Sequence, residues 1–234
     1  MVWSFTKLDS KYYHNISETL RQCEYFGRIF TLYFFILAYA NHFKKVDPVL
    51  ASLVKDQGVL TLTPQPNYYL KLCHSILSQQ LSTKVATVIR DRFMALYGGE
   101  FPTPQQILDT KVETFRGIGF SNAKANYVHN VARFALDEGM DDQKLDAMSD
   151  EEVIKYLTPI KGVGRWTVEM LLMFTMGRED VFAVDDLGIQ NAMCELYKIK
   201  KTDKKKMKAK MLKISAVWSP YRSYACLHLW RSLG

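Results

Sequence analysis

Cysteine is scarce in this sequence and nowhere closely spaced. The 234 residues contain four cysteines, Cys23, Cys73, Cys194 and Cys226, and no two of them form a C-x-x-C pair. Zinc and iron–sulfur sites commonly use such closely spaced pairs, so the spacing argues against both kinds of site. Scattered single cysteines are also typical of proteins from a reducing compartment.

The sequence also lacks a hydrophobic run long enough to cross a membrane. The apolar stretch at residues 29–40 is shorter than the roughly 20 residues that a transmembrane helix requires. It begins too far along the chain to be a signal peptide. We therefore expect a buried helix there, no targeting segment and no membrane association.

Acidic residues are fewer than basic ones. The chain has 24 Asp and Glu residues and 31 Lys and Arg residues, which gives a net charge of +7. A basic balance favours an anionic partner, with nucleic acid ahead of a membrane surface. Hydrophobic residues make up 48% of the chain, which excludes an intrinsically disordered protein.

Alternating strand patterns are scarce as well, and helical patterns dominate, so we predict an all-α fold. Residues that favour helix N-caps divide the chain into helices. Predicted N-caps are Asp47, Asn67, Thr103, Ser121, Ser149 and Ser219.

The most informative motif is a pair of glycines around one apolar residue. Gly162 and Gly164 flank a valine, and such a pair favours a tight turn because glycine adopts positive φ without steric cost. A capping box at residues 149–152 opens the helix before the turn, and an apolar helix follows it. The pattern predicts a helix-hairpin-helix at about residues 150–177. Backbone N–H groups at such a turn favour an anion such as phosphate.

A carboxylate pair, Asp185 and Asp186, follows the hairpin about two dozen residues later. A carboxylate placed near such a turn can act on a bound molecule as an acid, a base or a charge-stabilising group. A phosphate-binding turn followed by a positioned carboxylate suggests chemistry on DNA. The alternative is that both aspartates are helix caps.

Four segments in this order resemble the helix-hairpin-helix DNA glycosylases, and most closely the branch of 3-methyladenine DNA glycosylase II. The segments are SILSQQLSTK at residues 75–84, LTPIKGVGRWT at 157–167, VFAVDDLG at 181–188 and WSPYRSYACLHLW at 218–230. The resemblance covers roughly residues 45–234. It implies a monofunctional enzyme that flips out and hydrolytically excises alkylated, cationic purines such as 3-methyladenine from double-stranded DNA.

The resemblance also implies roles for single residues. The family's catalytic aspartate falls on Asp186, which leaves Asp185 as the expected N-cap of the next helix. Trp166 stands where bifunctional members carry a lysine that forms a Schiff base, so a water-using enzyme is implied. Trp230 matches a second pocket aromatic, and Tyr221 and Tyr224 are expected pocket walls. For each tryptophan, the alternative is a place in the hydrophobic core.

Further residues are expected to contact DNA or an ion. The resemblance implies that the hairpin binds phosphate and that the loop at residues 80–82 wedges into DNA where the damaged nucleotide is extruded. The expected DNA-binding residues are Gly162, Gly164, Trp166, Gln80, Leu81 and Ser82. The hairpin would also hold a structural Na⁺ or K⁺ through the main-chain carbonyls of Thr158, Ile160 and Val163, and no cofactor is required. The alternative for Leu81 is helix packing, and the lysines at 204–206 fit either phosphate contacts or a solvated surface.

The implied architecture has two helical lobes. Residues 68–178 would form a central bundle that contains the hairpin, and residues 1–67 would pack with residues 179–234, leaving the active site in the cleft between lobes. Residues 1–28 have no counterpart in the family. We expect an intracellular monomer, in the cytoplasm or nucleoid if bacterial and in the nucleus if eukaryotic. Two alternatives stay open: a non-catalytic DNA-binding module, and a glycosylase for deaminated or oxidised bases.

Overall fold

The structure, a computed structural model, describes residues 38–79 and 81–234, and within them leaves the side chain of Thr83 undescribed. Over these residues all regular elements are helices, which confirms the prediction of an all-α fold. Most of the predicted buried helix at residues 29–40 lies outside the described residues, as does Gln80. Tyr39 and Ala40, at its end, are buried.

The helices follow one another with short connections. The first, α1, is described at residues 38–46. The others are α2 (Pro48–Gln57), α3 (Tyr68–Ser78), α4 (Thr83–Ala95), α5 (Pro104–Asp109), α6 (Val112–Gly117), α7 (Asn122–Asp137), α8 (Asp142–Asp146), α9 (Asp150–Leu157), α10 (Arg165–Phe174), α11 (Leu187–Leu196), α12 (Lys204–Ser215) and α13 (Arg222–Arg231), with a 3₁₀ helix (Ala216–Trp218) between α12 and α13. None of the helices in the described ranges combines the length and apolar character needed to cross a bilayer.

Side-chain caps fix most of the predicted helix starts. Each cap oxygen accepts a hydrogen bond from a backbone N–H that the first helical turn leaves unpaired. The predicted caps that make this bond are Asp47, Asn67, Thr103, Ser121 and Ser149.

The predicted cap at Ser219 is wrong. Helix α13 begins three residues later, and its N-cap is Tyr221, which makes no side-chain cap bond. The Tyr221 amide bonds to the Trp218 carbonyl at 2.8 Å, so residues 219 and 220 belong to the preceding turn. The Ser219 hydroxyl instead donates to Asp180 at 2.8 Å.

The described residues fall into two compact units. Unit 1 comprises residues 63–178, and unit 2 comprises residues 38–62 and 179–234. In unit 1, α3 packs against α4, α7 and α10, and α7 packs against α5 and α6. A cluster of stacked phenylalanines lies within unit 1, with ring centroids 5.2–6.0 Å apart: Phe93, Phe115 and Phe120.

Unit 2 is organised by helix packing and by one buried carboxylate. Helix α13 packs against α2 and α11, and the 3₁₀ helix packs against α12. Asp47 is 6% exposed and accepts bonds from the Val49 and Leu50 amides at the start of α2. It also accepts from the Tyr197 hydroxyl at 2.9 Å and from the Trp218 indole at 2.7 Å. A buried polar group needs hydrogen bonds to offset its desolvation. Through these bonds Asp47 joins three parts of the unit.

Candidate active site and DNA-binding elements

The predicted hairpin joins α9 to α10 in unit 1. Gly162 has φ 105°, and a Cβ atom there would lie 2.2 Å from Cγ of Tyr127. Both the backbone conformation and the close tyrosine ring therefore require glycine at this position. A Cβ at Gly164 would meet nothing within 4 Å. The two glycines of the motif consequently have different physical roles.

Gly164 is the N-cap of α10. It is exposed and supplies no side-chain cap bond to the first amides of the helix. The amide groups in the first turn of an α-helix point outward along the axis and carry partial positive charge, which favours an anion. An exposed glycine also permits a bulky ligand to approach the backbone closely. This geometry suits a phosphate oxygen.

Ion pairs and a side-chain amide hold the hairpin in place. Arg165 bonds to Glu151 of α9 at 2.5 Å and to Glu169 of its own helix at 3.0 Å. The bond from Arg165 holds the pKa of Glu151 below its usual value. The Asn130 side chain on α7 donates to the Lys161 carbonyl at 3.0 Å. The turn is therefore fixed from α7, α9 and α10 without help from DNA.

The main-chain carbonyls expected to hold a monovalent cation lie in this same turn. The Ile160 carbonyl accepts a 2.9 Å bond from the Val163 amide, and Thr158 directly follows α9. A carbonyl oxygen has two lone pairs, so one internal bond leaves acceptor capacity at Ile160. Within the described ranges, no group of three or more His, Cys, Asp or Glu side chains is placed to bind a metal. The backbone cation site stays a prediction.

The predicted wedge loop connects α3 to α4. Leu81 lies outside both helices and is half-buried, and its amide bonds to the Ser78 carbonyl at 3.2 Å. Ser82 is the N-cap of α4 and accepts a bond from the Val85 amide at 3.4 Å. Leu81 thus lies in the loop between the two helices, where its role as a wedge stays a prediction, whereas the hydroxyl of Ser82 caps a helix.

Asp186, in unit 2, is the N-cap of α11. Its Oδ1 accepts a bond from the Ile189 amide at 2.9 Å and a second from the Trp230 indole nitrogen at 2.7 Å. The structure therefore joins two of the predicted site residues, which are far apart in sequence. Two donors on one oxygen fix the carboxylate's orientation.

The expectation that Asp185 caps this helix is wrong. Asp186 has extended backbone angles, φ −69° and ψ 128°, and directly precedes the first helical residue, so the cap position falls on it. The exposed carboxylate of Asp185 instead forms an ion pair with Lys208 of α12. The candidate catalytic residue is thus also the helix cap.

Gly188 is a site residue that sequence reasoning missed. A Cβ atom at Gly188 would lie 2.9 Å from Cδ1 of Trp230 and 3.0 Å from Oδ1 of Asp186. Only glycine lets the indole reach the carboxylate here without displacement. The available signal was a glycine in the first turn of a helix, where it is unfavourable relative to alanine.

The aromatic candidates differ in their surroundings. Trp166, in the first turn of α10, and Trp230, near the end of α13, are both half-buried. Tyr221 is also half-buried, and its ring lies edge-on to His42 at 5.5 Å. Tyr224 is 7% exposed, stacks on Tyr39 at 4.3 Å and donates its hydroxyl to Glu179 at 2.7 Å. Burial raises the pKa of Tyr224, so its hydroxyl stays protonated and serves the core of unit 2.

Comparison with known proteins identifies the family. Residues 73–216 match the HhH-GPD superfamily of base excision DNA repair proteins. The chain belongs to this superfamily. The matched range contains the wedge loop, the hairpin and Asp186. Tyr221, the N-cap of α13, and Tyr224 and Trp230 within that helix lie after the matched range.

Named relatives within the superfamily are similar over most of their length. An alkylbase DNA glycosidase-like protein of Schizosaccharomyces pombe is 36% identical over 196 residues, which cover 82% of this chain and 91% of the relative. DNA-3-methyladenine glycosylase 1 of the same yeast is 40% identical over 167 residues, covering 70% of this chain and 72% of the relative. The solved structure of an S. pombe 3-methyladenine DNA glycosylase in complex with abasic DNA aligns with a TM-score of 0.72 and 35% identity, covering 83% of this chain and 96% of that one.

Proposed function

We propose that this protein is a monofunctional DNA glycosylase that removes alkylated, cationic purines from double-stranded DNA in base excision repair. The observation that carries the proposal is the Asp186 carboxylate, held on one oxygen by the Trp230 indole and the Ile189 amide. Membership of a base excision repair superfamily supports it, as does the similarity to relatives named 3-methyladenine glycosylases.

Asp186 supplies the charge that the reaction needs. Cleavage of the N-glycosidic bond builds positive charge on the sugar, and an ionised carboxylate beside the anomeric carbon stabilises it. The same carboxylate orients water for attack and accepts its proton. A DNA-binding module that only grips phosphate needs no such carboxylate, so this residue separates the two functions.

Trp166 determines the type of cleavage and favours a cationic base. An indole cannot form a Schiff base with the sugar, so water is the nucleophile and the strand stays intact. An alkyl group on N3 or N7 of a purine gives the base a positive charge and makes it a good leaving group. The electron-rich indole of Trp166 attracts such a cation by about 0.5–2 kcal/mol per favourable contact.

The remaining elements bind and distort the DNA. The hairpin grips a phosphate through the backbone at Gly162, Gly164 and Trp166, and its Thr158, Ile160 and Val163 carbonyls hold a structural Na⁺ or K⁺. Leu81 fills the space vacated by the extruded nucleotide, which offsets part of an unstacking cost of a few kcal/mol. The enzyme acts as a monomer, and its chemistry requires no cofactor.

The test is a set of DNA duplexes, each carrying one defined lesion, scored for free base released. We expect faster release of 3-methyladenine and 7-methylguanine than of uracil or 8-oxoguanine. Asp186→Asn keeps a good helix cap, so we expect retained DNA binding and base release reduced by at least about a hundredfold. Asp185→Asn is the matched control and loses an exposed ion pair of about 1 kcal/mol or less, so near-normal release is expected.

Three outcomes would contradict the proposal. Equal or faster release of the neutral lesions would reject cationic purines as the substrate class. Unchanged release by Asp186→Asn would reject this carboxylate as the catalytic group. A covalent protein–DNA adduct trapped with borohydride would reject the monofunctional mechanism.

A further inference from the structure

Lys124, the third residue of α7, binds the end of another helix. Its ammonium donates to the Leu77 carbonyl at 2.8 Å and to the Gln79 carbonyl at 2.6 Å. These carbonyls belong to the last turn and the C-cap of α3, where carbonyl groups lack helical partners and carry partial negative charge. Partial burial lowers the pKa of Lys124. The lysine therefore holds the chain where α3 ends and the wedge loop begins.

Gln79 is fixed from a second side. Its side-chain amide donates to the Thr167 hydroxyl at 3.2 Å, and Thr167 is 3% exposed in α10, next to Trp166. Residue 79 is thus held through its backbone by α7 and through its side chain by α10. The chain is therefore anchored two residues before Leu81.

The same face of α7 supports the phosphate-binding hairpin. Tyr127 lies against Gly162, and Asn130 donates to the Lys161 carbonyl at 3.0 Å. Residues 124, 127 and 130 are spaced by three and therefore follow one side of the helix. One rigid helix consequently contacts the hairpin directly and the start of the wedge loop through Lys124.

We infer that Lys124 is a positioning residue for base extrusion. It fixes the position of the wedge residue Leu81 relative to the phosphate-binding hairpin. The inference rests on the proposed glycosylase function. The ammonium suits this role because it is compact and has three donors, which reach two carbonyls at once. Displacement of the wedge makes extrusion of a paired base harder and leaves the chemistry at Asp186 unchanged.

The experiment compares two substrates under single-turnover conditions. In one duplex the 7-methylguanine lesion is paired with cytosine, and in the other it faces an abasic analogue, so extrusion is easy. We expect Lys124→Met to slow release from the paired duplex by about tenfold to a hundredfold and to change release from the unpaired duplex much less. Leu81→Ala should show the same selectivity, and the double variant should be no slower than the slower single variant.

Control variants and a salt series separate a positioning role from other effects of removing a lysine. Lys111→Met removes an exposed lysine of the same unit and should leave both rates unchanged. If Lys124→Met does not fold, Lys124→Gln, which removes the charge but keeps a hydrogen-bond donor, carries the same comparison. A lysine that contacted a phosphate would lower the slope of log affinity against log salt by about 1 when removed, whereas a positioning lysine leaves that slope unchanged.

The outcomes separate this inference from the proposed function. Failure of the wild-type protein to release the base from either duplex would reject the glycosylase itself. Normal release from the paired duplex by the folded Lys124 variant would overturn the positioning role. So would equal slowing on both duplexes, multiplicative slowing in the double variant, or a reduced salt slope.

Discussion

Trp230 and Asp186, 44 residues apart, are joined by a hydrogen bond of 2.7 Å from the indole Nε1 to the carboxylate Oδ1. The same oxygen accepts the Ile189 amide, so the carboxylate is oriented by one helix start and by one aromatic side chain. Hydrogen bonds to an ionised group are roughly twice as strong as those between neutral groups. Trp230 therefore acts as a donor to the candidate catalytic group, in addition to its predicted role as a pocket aromatic.

The first prediction concerns that donor. Trp230→Phe keeps an aromatic ring but removes the indole N–H, and a lost hydrogen bond to a charged group corresponds to about 1.5–3 kcal/mol. We expect the single-turnover rate of 7-methylguanine release to fall by about tenfold or more, while the affinity for undamaged DNA stays the same. A variant as fast as the wild type would show that the carboxylate does not need this bond.

The second prediction concerns Gly188. In Gly188→Ala the new methyl group would lie 2.9 Å from Trp230 and 3.0 Å from the Asp186 carboxylate, so the indole must move. We expect base release to be slowed by about tenfold or more, even though alanine favours helix formation by about 1 kcal/mol. Gly117→Ala, in a helix with open space around the residue, is the control and should keep the normal rate. Equal rates in the two variants would contradict the prediction.

Features set by residues close together in the sequence could be predicted from it, whereas contacts between distant residues could not. The hairpin was predictable because the capping box at Ser149 and the positive φ at Gly162 involve only residues that are close together in the sequence. The assignment of the cap to Asp185 failed because a shift of one residue depends on where the chain turns into α11. The role of Lys124 was not predictable, because its partner Leu77 is 47 residues away in the sequence.

The third prediction separates the two hairpin glycines. Gly162→Ala forces positive φ on a residue with a side chain and places a methyl group against Tyr127, so the turn must deform. Gly164→Ala meets open space and should destabilise the helix start by about 1 kcal/mol or less.

Affinities measured across a salt series check this prediction. We expect Gly162→Ala to weaken binding to damaged and undamaged duplexes alike and Gly164→Ala to weaken it much less. Wild-type affinity for undamaged DNA should fall steeply with salt, because phosphate contacts dominate it. A flat salt response, or unchanged affinity in the Gly162 variant, would reject the hairpin as the phosphate grip, and equal loss in both variants would contradict the different roles of the two glycines.

Two histidines, the half-buried His74 and the buried His228, link stability to pH. Burial lowers the pKa of His74 to about 4, with Lys71 and Arg90 contributing, and the buried ring nitrogen Nε2 has no hydrogen-bond partner among the described residues. Burial lowers the pKa of His228 to about 3, with Arg231 contributing, and its Nδ1 bonds to Gln57 at 2.8 Å. Both rings are therefore neutral in the folded protein at neutral pH.

The last prediction is that mild acid destabilises this fold through these histidines. An unfolded histidine binds a proton as the pH falls below about 6.5, whereas the folded rings stay neutral until about pH 4 or 3. The unfolded state therefore binds more protons in this window, and stability falls as the pH is lowered, by at most about 1.4 kcal/mol per pH unit for each histidine. Urea unfolding between pH 6.5 and 5, above the range where most carboxylates titrate, measures this slope. His74→Leu should reduce the slope whatever its effect on absolute stability, and an unchanged slope would show that His74 does not carry this pH dependence.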